Sequence, residues 1–183
     1  MTPVVTEISE DAQLVIAARN GDRAAFGQIY RRYRRMVHGI LLARVPPDEV
    51  DDLVQDVFLL ALRRLGALRT AAAFGGWLAS IARNRASDYH RQSEDNAELT
   101  DDVAEKSASA PDREAVTVLA VIRSLPEAYR ETLILRLVEG MTGPEIAART
   151  GLTAGSVRVN LYRGMQQLRE RLGMKPVRRI DRL

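Results

Sequence analysis

Residues 50–65 read VDDLVQDVFLLALRRL. Val50, Leu53, Val54, Val57, Phe58, Ala61, Leu62 and Leu65 recur at three- and four-residue steps, the spacing that puts side chains on one face of an α-helix. This is the cleanest amphipathic pattern in the chain, and it predicts a helix with a buried apolar stripe. The same period carries Asp52, Gln55, Asp56 and Leu59 to the face away from that stripe. An acidic face that also turns a leucine outward suggests contact with a protein. The plain alternative is a solvated acidic face.

The pattern continues on both sides. Pro46 and Pro47 interrupt it upstream. Before them, Phe26, Ile29, Tyr30, Tyr33, Val37, Ile40 and Leu41 repeat the helical period, with Asp22 placed to cap that helix and Gly21 to stop a shorter one holding Leu14, Val15 and Ala18. Downstream, beyond Gly66, a further helix carries Phe74, Trp77, Leu78, Ile81 and Arg85 on one side. Trp77 shares the apolar face, which predicts core packing. No alternating β pattern competes anywhere, so the expected fold class is all-α.

Residues 93–111 break the composition. They are rich in Asp, Glu, Ser and Ala and hold almost no large apolar residue, so burial there cannot offset the entropy of ordering. We read them as a flexible acidic linker joining two small helical domains, residues 10–92 and 112–174. In the second, a helix ends at Leu125 and Pro126 opens another that runs to Gly140. Thr142 and Glu145 then have capping-box spacing ahead of Ile146, Ala147 and Ala148, and Gly151 ends that short helix. Thr153 caps a longer basic helix holding Val157, Leu161 and Leu168. Two helices about a glycine turn, the second longer and basic, form a helix-turn-helix pattern. The second helix presents Thr153, Ser156, Arg158, Asn160, Tyr162 and Arg163, which can reach phosphates or base edges. A structural helical hairpin has a similar outline.

The 183 residues suffice for two small cores. The absence of cysteine excludes disulfides and thiolate metal sites, and the two histidines, His38 and His90, lie too far apart in sequence to suggest zinc. No cofactor or metal is expected. The net charge of +3 conceals separation: acids gather in residues 48–56 and 94–112, bases in 31–35, 83–91 and 158–182. Such patches can serve a basic protein and a nucleic acid respectively, or simply solvate helix faces. Residues 1–11 are not a signal peptide, and no apolar run approaches the ~20 residues that span a bilayer, so membrane insertion is not expected and the expected location is cytoplasmic. An enzyme would need a convergent nucleophile, base or phosphate loop, and none is present.

These residues together resemble the extracytoplasmic-function sigma factors, the two-domain group of the sigma-70 family, from about Asp11 to Leu172. The resemblance rests on Ala25-Phe26 through Tyr33, on 51–58 (DDLVQDVF), on 77–85 (WLASIARNR) followed by Asp88, Tyr89 and Arg91, and on Leu125-Pro126, Glu139-Gly140 and Glu145-Ile146-Ala147 in the expected order. It implies promoter-specific transcription initiation with RNA polymerase core. It assigns Asp52, Gln55, Asp56 and Leu59 to the clamp helices of the largest polymerase subunit. It assigns Arg83, Asn84, Ser87, Asp88 and Arg91 to the minus-ten promoter element, although Asp88 can instead pair locally with Arg91. It assigns the 153–163 helix to the minus-thirty-five element.

The DNA-reading helix departs from the family pattern at Val159, Asn160, Gly164 and Met165, which leaves fewer cations and, at Gly164, a more flexible helix. A simple repressor would explain the helix-turn-helix but leave 51–58 without a role. Exposed acidic and basic faces together imply control by an anti-sigma factor that wedges between or clamps the two domains, since residues 175–183 are too short to form an inhibitory domain. The competing arrangement packs the two domains on each other.

Overall fold

The computed structural model describes residues 9–96 and 110–174. They form α-helices joined by turns and three short 3-10 turns, with no strand among the described residues. The all-α expectation holds. The 97–109 part of the expected linker and the 175–183 tail lie outside the described residues.

The N-terminal half is built from α1 (Glu10–Arg19), α2 (Arg23–Leu42), α3 (Val50–Arg64) and α4 (Phe74–Asn96). Asp22 caps α2 as predicted, its Oδ1 accepting from the Ala25 amide at 3.0 Å, and Gly21 makes the preceding stop at φ 96°. The expected stripe of α3 is buried from Val50 to Ala61, with one exception: Leu62 is 46% exposed. Leu62 lies seven residues from Gln55 and three from Leu59, so the helix carries it to the outer face. Phe58 is locked in the core by edge contacts with Tyr30 and Phe26 at 4.7 and 6.4 Å between ring centres. Tyr33 meets Phe74 in the same way at 5.2 Å and donates its hydroxyl to Asp11 Oδ2 at 2.7 Å, which fastens α1 to α2. Burial first, and then the Asp11 bond, push the Tyr33 phenol well above its usual range. Trp77 is half-buried against Phe74, in line with the core reading.

The C-terminal half comprises α5 (Ala110–Arg123), α6 (Glu127–Leu137), α7 (Gly143–Thr150) and α8 (Ala154–Arg171). Helices α4 and α5 thus reach a few residues into the segment read as linker. Both bonds of the capping box on α7 are present: the Thr142 amide donates to Glu145 Oε2 at 2.8 Å, and the Glu145 amide to Thr142 Oγ1 at 3.4 Å. Gly151, left-handed at φ 77°, ends α7, and Thr153 caps α8. Gly164 has a packing reason that its sequence context did not suggest. A Cβ there would lie 3.1 Å from Leu133 Cδ1 and 3.2 Å from Tyr129 Cβ, so the glycine lets α8 approach α6 closely and is not a point of flexibility.

The two halves share one continuous core. Helix α6 packs across α2, and α7 across the start of α4. Three glycines of the N-terminal half make room for this. At Gly39 a Cβ would fall 2.7 Å from Leu135 Cδ2, and at Gly75 only 2.4 Å from the Arg149 carbonyl oxygen; at Gly76 it would touch Gly151 Cα at 3.5 Å.

Candidate functional surfaces

Helix α3 presents Asp52, Gln55 and Leu59 to solvent, with Leu59 52% exposed. Together with Leu62 they make a mixed acidic and apolar strip, the combination expected of a protein contact. The sequence reading missed Leu62 because the helical period admits it to the core stripe as readily as to the outer face. Asp56 stands at the edge of the strip and is not a free charge: it accepts from Arg85 Nη2 at 2.7 Å and Nε at 3.3 Å, which ties α3 to α4. Arg34 reaches Asp51 at 3.3 Å on the surface.

On α4, the five candidate minus-ten residues divide. Asn84, Ser87, Asp88 and Arg91 line an open depression together with Arg64 and Arg85. Asp88 and Arg91 are paired with each other, and the Ser87 hydroxyl donates back to the Arg83 carbonyl at 3.1 Å. Arg64 and Arg85 were not among the candidates; no local pattern marks either as facing the depression. The fifth candidate, Arg83, lies at the flank of that face, one turn before Ser87, and its guanidinium reaches into the seam between the halves.

That seam is the feature no local pattern announced. Glu131 of α6 is 4% exposed there. Its carboxylate accepts from Arg83 Nη2 at 2.7 Å and Nε at 3.1 Å, and from Arg44 Nη2 at 2.7 Å. Burial alone would raise the Glu131 pKa, but the two guanidinium groups outweigh it and hold the carboxyl below its usual value. Arg44 also bonds Glu127 at 2.6 Å. Nearby, His38 Nδ1 lies 2.5 Å from Glu139 Oε1, and this bond raises the imidazole pKa despite partial burial. Arg149 closes the other end, donating to the Arg32 carbonyl at 2.8 Å with its guanidinium 6.0 Å from the centre of the Tyr33 ring.

Helix α8 also divides. Thr153 and Ser156 are engaged in the cap, the Ser156 amide donating to Thr153 Oγ1 at 3.0 Å and the two hydroxyls meeting at 2.8 Å. Arg158, Tyr162 and Arg163 are exposed, Tyr162 by 72%. Asn160 is half-buried and faces the seam beside Arg44, Arg83 and Glu131. No helix among the described residues is long and apolar enough to cross a membrane.

Residues 29–95 match the family model for Sigma-70 region 2, and residues 115–168 match that for Sigma-70, region 4. The RNA polymerase sigma factor CarQ of Myxococcus xanthus is 32% identical over 162 residues, covering 85% of this chain and 93% of its own. The RNA polymerase sigma factor NccH of Alcaligenes xylosoxydans xylosoxydans is 33% identical over 178 residues, covering 90% and 95%. Among solved structures, that of CnrH in complex with the cytosolic domain of CnrY aligns with a TM-score of 0.63 at 27% identity, covering 89% of this chain and 97% of that one.

Proposed function

The chain belongs to the extracytoplasmic-function branch of the sigma-70 family, sharing 30% identity over 181 residues with the ECF RNA polymerase sigma-E factor of Escherichia coli, and from that premise we propose how its surfaces divide the work. It is a non-enzymatic initiation factor that directs promoter-specific transcription with RNA polymerase, and its region 2 half binds the core enzyme. The domain limits we propose are 10–92 and 112–174, with 93–111 between them. The strip of Asp52, Gln55, Asp56, Leu59 and Leu62 meets the polymerase. Asn84, Ser87, Asp88 and Arg91, with Arg83 once it is released from Glu131, face the minus-ten element. Arg158, Tyr162 and Arg163 lead the approach to the minus-thirty-five element, with Thr153, Ser156 and Asn160 on the flank of the same helix. The protein acts in the cytoplasm. An anti-sigma factor controls it; the similar structure of CnrH was solved in complex with another protein, the cytosolic domain of CnrY.

The single observation that carries the polymerase assignment is Leu59 standing 52% exposed among carboxylates on a helix whose other face is fully packed. The test is Asp52→Lys combined with Leu59→Asp, neither of which touches the core. The variant should keep the helical circular dichroism and melting midpoint of the parent and lose holoenzyme formation with purified core by at least about 100-fold, since charge reversal and loss of an apolar anchor each remove roughly 1.4 kcal/mol or more. Wild-type affinity for core in this variant would mean that the strip is only solvated surface. We leave Asp56 unchanged because a lysine there would face Arg85.

A further inference from the structure

We propose that Arg44 and Arg83 form a phosphate site for promoter DNA, and that Glu131 occupies it in the free protein, so that the buried carboxylate is an autoinhibitory anion that DNA must replace. The inference rests on the sigma-factor reading above and adds to it a site and a regulator.

Both arginines belong to the N-terminal half, while the carboxylate comes from the other. The site is therefore complete without its present occupant. Arg44 is held in place independently, its Nη1 donating to the Ile40 carbonyl at 3.0 Å. Arg83 offers a bidentate fork at 2.7 and 3.1 Å, the geometry that suits carboxylate and phosphate alike. The two guanidinium groups share a single carboxylate oxygen, Glu131 Oε2. Two cations that close repel each other unless an anion lies between them, so the pair keeps its demand for an anion when α6 departs. The available anion is then the nucleic acid: Asn84 and Ser87, adjacent to Arg83 on α4, are exposed toward the surface assigned to the minus-ten element.

The closed form cannot be the DNA-bound form. Elements centred near minus ten and minus thirty-five lie about 25 base pairs apart, roughly 85 Å along B-form DNA. A compact chain of this length has a radius of gyration of about 16 Å. The α4 and α8 surfaces cannot meet both elements while α7 is pressed on Gly75 and Gly76. Opening is required for function, and it unmasks Arg44 and Arg83 at the same moment. Asn160 of the reading helix, which shares the cleft with them, is released by the same motion.

The test uses the full-length chain and a random-sequence duplex of about 20 base pairs, because a phosphate contact is indifferent to sequence. Glu131→Gln removes the anion that the two arginines share while keeping its shape, and leaves only the exposed Glu127 on Arg44. Its scattering radius should grow, and its affinity for the duplex at low salt should rise about 10-fold. The slope of log affinity against log salt should steepen by roughly 1 to 2, as expected for one or two added phosphate contacts. Adding Arg44→Ala and Arg83→Ala to Glu131→Gln should keep the expanded form but return the slope to the wild-type value. Gly75→Ala, which opens the seam sterically with both arginines intact, should reproduce the steeper slope and so covers the case in which Glu131→Gln folds poorly. The proposal is overturned if Glu131→Gln remains compact, if it expands with an unchanged salt slope, or if the steeper slope survives loss of both arginines. Wild-type binding to core polymerase, measured alongside, reports separately on the sigma-factor reading.

Discussion

Gly75→Ala should open the molecule while leaving each half folded. Gly75 sits in the first turn of α4, where a Cβ would be 2.4 Å from the Arg149 carbonyl oxygen and 3.1 Å from its carbonyl carbon. These are backbone atoms at the end of α7, so no side chain can rotate away. Restoring an ordinary contact requires α7 to retreat by about 1 Å. The Arg149 bond to the Arg32 carbonyl, now 2.8 Å, then passes beyond hydrogen-bonding range, and its guanidinium leaves the Tyr33 ring. A charge-assisted bond and a cation–π contact together are worth about 2–3 kcal/mol. Against that, alanine favours α4 itself by roughly 0.5 kcal/mol. The open population should rise by more than about 10-fold, since 1.4 kcal/mol is one decade. Small-angle scattering should show the radius of gyration moving from about 16 Å toward roughly 20 Å or more. Hydrogen exchange should quicken at α7 and not in the middle of α2. The control is Gly27→Ala, where the new methyl meets only Arg31 Nη1 at 3.9 Å: it changes helix propensity without wedging anything. If Gly75→Ala and Gly27→Ala give the same radius and the same α7 protection as the parent, the seam is not closed in solution and the reasoning fails.

Closure should also depend on pH through His38. Its pKa is raised in the closed form by the Glu139 bond, with smaller contributions from Asp51, which raises it, and Arg34, which lowers it. A raised value means that the pair contributes fully below the ordinary histidine pKa of about 6.5 and is lost as pH rises through the closed-state value. The protein should therefore be more compact at pH 6 than at pH 8, and His38→Gln should flatten that difference; an identical pH profile in the variant would remove His38 from the account. Thr142→Ala should lower the melting midpoint by about 3 °C through loss of the α7 cap and weaken minus-thirty-five-dependent transcription in proportion, because α7 sets the angle at which α8 emerges. A normal midpoint would show that the cap is redundant with Pro144.

How much could be read in advance depended on the distance over which each feature is encoded. The α3 stripe, the Asp22 cap, the capping box at Thr142 and the left-handed stop at Gly151 are set by residues within about one or two turns of each other, and all were legible. Leu62 was misplaced because a run of leucines satisfies the helical period on more than one face; only the packing of α2 and α4 decides which face is covered. The seam lay out of reach for a different reason. Glu131 lies 48 residues from Arg83 and 87 from Arg44, and nothing local distinguishes it from the exposed Glu127 one turn earlier. The same holds for Arg83, which flanks the candidate DNA residues on α4 but spends its guanidinium on Glu131 across the seam. What the sequence did carry was a steric trace. Gly39 stands in the last turn of a long helix, and Gly75-Gly76 open another, positions where glycine costs helix stability and a close neighbour gives a reason for it. In this chain the neighbours are Leu135, Arg149 and Gly151, all from the other half. A charge reports its partner only once the fold has brought the two together, whereas a glycine at a close approach records the approach itself. In a helical protein of two halves, unexplained helix glycines are therefore better pointers to interdomain contact than any charge pattern, and here they mark the same surface that the buried Glu131 does.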